Sequence, residues 1–340
     1  MTDDFDGVAR AAFGRGRRLA GVERLRGGSK KGVHRLRFDD GGTAVVYVWS
    51  TAENHWPGAD RPADDADPLA HASGLALFEA AHRRLAALGV RTPHLHLLDG
   101  SRTRHPVDVA VVEDVTGAGG ENLEALLERD PAAARPVLAR LADTLRVLGE
   151  HRAEGWGKLA LLDNGGVSKG SSPQQLVLDR ALADLAEAAG RDERMAAARG
   201  RLADGLHARA AAVAPRDSDS DSDSHSDGPG HGYGLVHGEL GPDHVLVDAA
   251  GEPVLIDIEG LMHFDAEWEH AFLRIRFGEH YPSLGGTEDL DRPRLDLYAL
   301  AMRLSLVAGP LRLLDGDFPH RAAMRAIAEH NLTAALLLVE

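Results

Sequence analysis

The chain has 340 residues, 44% of them hydrophobic, carries a formal charge of −15 and contains no cysteine. That is enough apolar material for one large or two modest cores. The acidic balance argues against nucleic acid as the main partner, because a phosphate backbone needs a basic face, and disulfides and thiolate metal sites are excluded. The opening stretch MTDDFDGVARAAFGRGRRLAG has no apolar segment of signal-peptide length. With no run approaching the roughly 18–20 apolar residues of a membrane span, the expected location is the cytoplasm, with no membrane partner.

Short runs with β-branched residues and partial alternation predict strands over 19–26, 33–38 and 43–49. GGSKKG (27–32) joins the first two, and the turn DDGG (39–42) joins the last two. A polar, proline-containing connection from Ser50 to about Pro68 leads into an amphipathic helix over 69–90, which stops at Gly89. Residues 94–99 and 107–115 read as two more strands, the second ending at Thr116-Gly117. From about residue 121 the texture is helical, over 122–153 with a split near Pro131, and again over 172–214. The run PRDSDSDSDSHSDGPGHG (215–232) has no apolar residue and is expected to be a mobile, disordered surface insertion. An apolar pair at 234–237 and 253–258 reads as a hairpin, followed by helices over 294–311 and 320–339.

The chemistry concentrates at that pair. LVHGELGPDHVLV (235–247) and PVLIDIEG (253–260) place two histidines and four carboxylates among apolar runs. His237-Gly238 abruptly ends one such run, and His237 is expected to brace the loop backbone. Asp257 interrupts VLIDI, where an acid is costly to bury unless it is paired or bound to metal. The glycines of GGSKKG would let backbone N–H groups approach a phosphate closely. The chain has only four lysines, Lys30, Lys31, Lys158 and Lys169, and two of them sit in this loop. Among the 18 histidines there is no H-E-x-x-H or other tight ligand pair.

Five strands with one helix, then helices around a late hairpin, is the order of a bilobal kinase. HGEL, with His244 five residues after Glu239 and Asp257 eighteen after it, resembles the aminoglycoside phosphotransferase and choline kinase-like family, whose pattern is H-G-D-x-x-x-x-N, a strand, then I-D-x-E. The resemblance implies an α+β, bilobal protein kinase-like fold. A small antiparallel β-sheet lobe with one helix would bind nucleotide over residues 1–117, and a larger, mainly helical lobe with the catalytic β-hairpin would span 118–340. The implied activity is ATP- and Mg2+-dependent transfer of the γ-phosphate to a hydroxyl. The acceptor would be a small molecule, aminoglycoside-like or another natural product, or a peptide Ser or Thr.

Carried over residue by residue, Glu239 takes the place of the family's catalytic Asp, and Asp257 that of the acid bridging metal to phosphates. Glu259 matches the second acid of I-D-x-E. His244 stands where the family has a metal-binding Asn, a departure because Mg2+ prefers hard oxygen ligands, and Asp243 is a candidate for the missing oxygen. In the sheet, Tyr47 stands where the family's phosphate-binding lysine would align. Lys30 or Lys31, on the loop with Gly28, Ser29 and Gly32, is the expected replacement. Glu79 lies where the family's helix carries the acid that pairs with that lysine, and is otherwise an exposed helix charge. VVEDVTG (111–117) resembles the hinge between lobes, where the backbone of Glu113 to Val115 would meet the adenine edge. His263, Asp265 and Glu267 are read either as acceptor-pocket residues or as a polar loop, and Trp56 as packing the connection onto the first lobe.

The altered positions 47, 239 and 244 leave a second reading open, a pseudokinase acting as a scaffold or protein partner in a biosynthetic system such as ribosomal-peptide tailoring. Against it, Glu239 keeps the carboxylate, His244 keeps a coordinating atom, and the lysine charge is moved rather than lost. A third reading is a nucleotide-independent ligand-binding protein with a chance motif.

Overall fold

The computed structural model describes residues 5–25, 28–58, 64–216 and 232–340. β3 (Thr43–Trp49) explains the first layer: Val45 and Tyr47 are buried on one face, Val46 and Val48 on the other. A strand buried on both sides belongs in the middle of a covered sheet. It lies between β2 (Gly32–Phe38) and β5 (Asp108–Glu113), with β1 (Leu19–Arg24) and β4 (Leu95–Asp99) at the edges, in the order β1-β2-β3-β5-β4 with every pair antiparallel.

Each face has its own cover. α1 (Asp6–Phe13), a helix the sequence reading did not anticipate, follows Phe5 and packs it with Val8 and Ala9 against Leu36, Val46, Val109 and Val111. On the other face α2 (Leu75–Ala87) sets Phe78, Ala81 and Leu85 against Val45, Tyr47, Ala110 and Val112. α2 begins six residues later than the expected start at 69, because Gly74 (φ 140°) turns the chain. Residues before it form a strap whose Ser73 Oγ donates to the Lys30 carbonyl at 2.9 Å.

After β6 (Glu121–Asn122), helices follow. Asn122 caps α3 (Leu123–Arg129), and Asp130 caps α4 (Pro131–Glu150), whose Pro131 sits where no amide partner is needed. β7 (Arg152–Ala153), β8 (Gly157–Lys158) and α5 (Leu159–Asp163) are short. The run expected over 172–214 is two helices, α6 (Pro173–Ala189) and α7 (Glu193–Ala212), broken at Gly190 and restarted by the Asp192 cap. The acidic, serine-rich segment read as an insertion lies, from 217 to 231, outside the described residues, as do 59–63 of the polar connection.

The late strands pair differently from the expected hairpin. β9 (Tyr233–Val236) lies between β7 and β12 (Met262–Phe264), in a sheet ordered β7-β9-β12-β8, while β10 (Val245–Val247) and β11 (Pro253–Leu255) form the hairpin, with β6 alongside. The loop between β9 and β10 swings the chain sideways, and the Ile256 amide then donates to the His244 carbonyl at 3.0 Å. α8 (Ala266–Phe277) stands where a polar loop was an option. α9 (Arg292–Asp315) is long and apolar enough by length and composition to cross a membrane. It is instead the centre of the second core, contributing Leu297, Tyr298, Leu304 and Val307 against α6, α7, α8 and α10 (Arg321–Leu337).

Candidate functional site

The loop after β9 is built from its backbone outward. His237 is buried and its Nε2 donates to the Ile256 carbonyl at 3.0 Å. Burial pushes its pKa down to about 4, so at neutral pH it is an uncharged brace. Gly238 takes φ 89°, which favours glycine, and its amide donates to Glu269 Oε2 at 2.7 Å from α8. Burial raises that carboxyl to a pKa of about 7, against the pull of the Gly238 and His237 amides. Glu239 follows with a half-exposed side chain. The 3-10 turn Pro242–His244 closes the loop, with His244 Nδ1 2.7 Å from the Glu239 carbonyl and its ring stacked on His237. Asn122 Nδ2 donates to the Asp243 carbonyl at 2.9 Å, and Arg276 holds the Asp243 carboxylate at 2.6 Å.

Asp257 ends the hairpin in the left-handed region, φ 58°, ψ 42°. Only two described non-glycine residues have positive φ, and such strain gathers at functional positions. The bend directs the carboxylate to Lys31, whose Nζ is 2.6 Å from Asp257 Oδ1 and 2.6 Å from Glu259 Oε1. Glu259 is 4% exposed and accepts from Trp49 Nε1 at 3.3 Å, while its second oxygen has no partner. Lys30 Nζ meets Glu239 Oε2 at 2.7 Å. Burial disfavours the charges of Lys30, Lys31 and Asp257, but mutual attraction wins: both lysines are raised, and the ammonium groups together with His244 hold Asp257 well below the usual carboxylate range. Lys30 likewise lowers Glu239.

Lys31 Nζ also lies 5.2 Å from the centroid of the Tyr47 ring, a cation–π distance. The loop between β1 and β2, described from Gly28 onward, is a flap that lays an ammonium over Tyr47, the side chain standing at the strand position. Its backbone is fixed by neighbours. A side chain on Gly28 would strike the Lys31 carbonyl at 2.7 Å, and one on Gly32 would strike Glu53 at 2.8 Å. Ser29 Oγ accepts from Trp56 Nε1 at 2.9 Å, and the Ser29 carbonyl accepts from the His55 amide at 2.9 Å. The Trp56 ring lies 3.3 Å from where a Cβ on Gly309 of α9 would stand. Trp56 therefore ties the connection to both the flap and the helical core.

Other expected side chains are not drawn in, while at Glu113 and Val115 the expectation concerns backbone groups. Glu79 pairs with Arg83 one turn away on the exposed face of α2, while the lysine it was expected to hold is satisfied by Asp257 and Glu259. The Glu113 carboxylate is taken by Arg91 and by the His94 amide. Val115 is buried, and its carbonyl accepts from the Gly120 amide at 2.9 Å. His263 bonds the Tyr233 carbonyl. Asp265 is buried against Arg216, Arg294 and Tyr298, so with Glu267 it anchors the start of α8 rather than lining a pocket.

The four expected metal ligands are not gathered as a set. Among the described residues no three His, Asp or Glu side chains are grouped to hold a metal ion. His244 Nε2 is 3.7 Å from Asp257 Oδ2 and 3.8 Å from Asp243 Oδ2, its other nitrogen is engaged by backbone, and Arg276 claims Asp243. Asp257 and Glu259 fit a hard divalent cation better. They are adjacent carboxylates, and the unpartnered buried oxygen of Glu259 is a donor in want of a cation.

Glu269, Trp49 and Arg276, which brace these groups, were not foreseen. Glu269 sits in AEWEHAF, where two acids flank a tryptophan in a helix of mixed polarity, and no local signal marks which acid turns inward.

Residues 35–293 match the sequence profile of the phosphotransferase enzyme family. No curated protein matches the chain by sequence. Among solved structures, a thermostable mutant of aminoglycoside phosphotransferase APH(4)-Ia, in ternary complex with ADP and hygromycin B, superposes with a TM-score of 0.58 at 18% identity, covering 97% of this chain and 98% of that one. Choline kinase LicA from Streptococcus pneumoniae gives 0.56 at 12% identity, with 93% and 94% covered. A putative fructosamine-3-kinase from Thermobifida fusca gives 0.51 at 20% identity, with 97% and 98% covered. At these identities the likeness is one of fold: a small antiparallel sheet followed by a mainly helical body.

Proposed function

Because the chain belongs to the phosphotransferase enzyme family, we propose that it is an ATP- and Mg2+-dependent kinase that phosphorylates a hydroxyl of a small molecule. The observation that carries this reading is the meeting of Lys30 and Lys31 from the flap with Glu239, Asp257 and Glu259 from the two late loops. Residues 1–117 would then serve as the nucleotide-binding lobe and 118–340 as the lobe presenting the acceptor. The ternary complexes of the aminoglycoside phosphotransferase with ADP or AMP-PNP and hygromycin B support a nucleotide and a small-molecule acceptor as the two substrates.

Phosphoryl transfer asks mostly for positioning and charge. Glu239, on a loop braced by Glu269, His237 and Asn122, orients the acceptor hydroxyl and takes its proton as the bond to phosphorus forms. Lys31 and Lys30 hold the nucleotide phosphates, doing from the flap what a strand lysine would do from below. Asp257 and Glu259 would hold the divalent cation, which when bound draws charge from the phosphate oxygens.

A second reading, a pseudokinase scaffold, is favoured by one observation: His244 is committed to the Glu239 carbonyl and stands where a hard oxygen ligand is expected. Calorimetric titration of ATP with and without Mg2+, followed by measurement of ADP release, separates the two. The kinase reading expects Mg2+-dependent binding and slow ATP turnover, both lost in Asp257→Ala. Absence of ATP binding at every Mg2+ concentration refutes it.

A further inference from the structure

Lys158 ends β8 with a side chain only 1% exposed, yet its ammonium has no hydrogen-bonding partner. Buried polar groups are nearly always paired, and an isolated buried ammonium is among the costliest exceptions. An apolar side chain would serve the core better, so the charge asks for a reason.

The register shows where it points. Lys158 is directly opposite Met262 in the antiparallel β8–β12 pair, so the two side chains leave the same face of the sheet. The Met262 methyl group lies 3.4 Å from where a Cβ on Gly238 would stand, which puts that face against the catalytic loop, one residue from Glu239. Lys158 is close enough to feel the charge of Lys30, the partner of Glu239. One more buried polar atom without a partner acts together with it. His71, on the strap, has an unpartnered Nε2 and senses Lys30, Glu239 and Lys158 together. Asp65, Asp67 and Asp64 act on the ammonium without hydrogen-bonding it, and Asp64 and Asp67 are both held at 3.0 Å by Lys169.

We propose that Lys158, with His71, forms an oxyanion subsite beside the catalytic loop, which takes a carboxylate or phosphate carried by the acceptor or the phosphoryl group being transferred. Its role in turnover rests on the kinase reading, whereas its existence does not. The ammonium is buried in this state, so an anion reaches it as the strap over 64–73 shifts. An unpartnered ammonium with three N–H groups to donate suits an oxyanion and repels an ammonium-bearing group.

Inorganic phosphate is the probe, titrated calorimetrically into the full-length protein alone and with ADP present. The expected result is phosphate binding that weakens about tenfold or more in Lys158→Met, the loss of one charge-assisted hydrogen bond, with ADP affinity unchanged. Lys158→Gln is the second variant should the first not fold. Equal phosphate affinity in wild type and variants, or no phosphate binding to wild type, overturns the proposal. The ATP-to-ADP affinity ratio then identifies the source of the anion. A ratio that falls in Lys158→Met assigns the subsite to the transferred phosphoryl group. An unchanged ratio, with turnover of hydroxy acids lost and that of amino alcohols kept, assigns it to the acceptor. Phosphate binding through Lys158 in a protein that binds no ATP defeats the kinase reading and leaves the subsite standing.

Discussion

Lys31 and Asp257 are 226 residues apart in sequence and 2.6 Å apart in space. The same ammonium reaches Glu259 at 2.6 Å and lies over Tyr47. One flap residue thus joins the sheet to the late hairpin, and the contrast with its neighbour Lys30 gives the first test.

Lys31→Ala strands Glu259 as a buried, unpaired acid, and breaking such a pair costs about 3–5 kcal/mol. Lys30→Ala removes a partner from the half-exposed Glu239, where the loss is within about 1 kcal/mol. Urea unfolding compares them directly. Glu259→Gln introduced with Lys31→Ala should recover part of the stability, and equal costs for the two single variants would contradict the buried pairing.

Glu239→Gln keeps the shape of the side chain and removes its capacity to accept a proton. Turnover should fall by about 100- to 10,000-fold while ATP still binds. Single-turnover ADP release alongside calorimetry measures both, and full activity in the variant would remove Glu239 from proton transfer.

At Asp257 the backbone adds a second variable. Asparagine tolerates the left-handed conformation, whereas a β-branched residue there is strained by about 1–2 kcal/mol. Asp257→Asn should therefore stay folded and lose the Mg2+ dependence of ATP binding, and Asp257→Val should in addition melt earlier. Retention of Mg2+-dependent binding in Asp257→Asn would place the cation elsewhere.

Glu269 gives a pH signature. Its pKa is raised from 4.5 to about 7, chiefly by burial, so between these values the folded protein keeps a proton that the unfolded chain has released. Stability from this group is fully present below 4.5 and is lost as pH rises through 7. In Glu269→Gln that decline should flatten, as read from chemical unfolding at several pH values. An unchanged slope would show that this carboxyl does not hold its proton in the folded state.

The sequence made the five sheet strands legible because alternating Val and Leu runs are cut by glycine turns; it marked Asp257 because that acid interrupts an apolar run, and Glu239 through the resemblance of HGEL to a family motif. It hid α1, whose few apolar residues cover a sheet face that forms only on folding. It also hid the pairing of β9 with β12, since two apolar runs in succession read as a hairpin whether or not the loop between them turns aside. Glu79 looked like a partner for a phosphate-binding lysine only while that lysine was placed near α2. With the charge on the flap, Arg83 is its natural neighbour. Glu269 and Lys158 escape local reading because their significance lies in what surrounds them once buried.

Trp56 and Ser73 fasten the flap to a connection that itself leans on Gly309 of α9. On the kinase reading, nucleotide would pass beneath the lysines only as those contacts yield, so exchange of ADP for ATP would be governed by a gate anchored in the helical core. An enzyme arranged in this way is expected to be limited by letting go of its product rather than by breaking the phosphate bond.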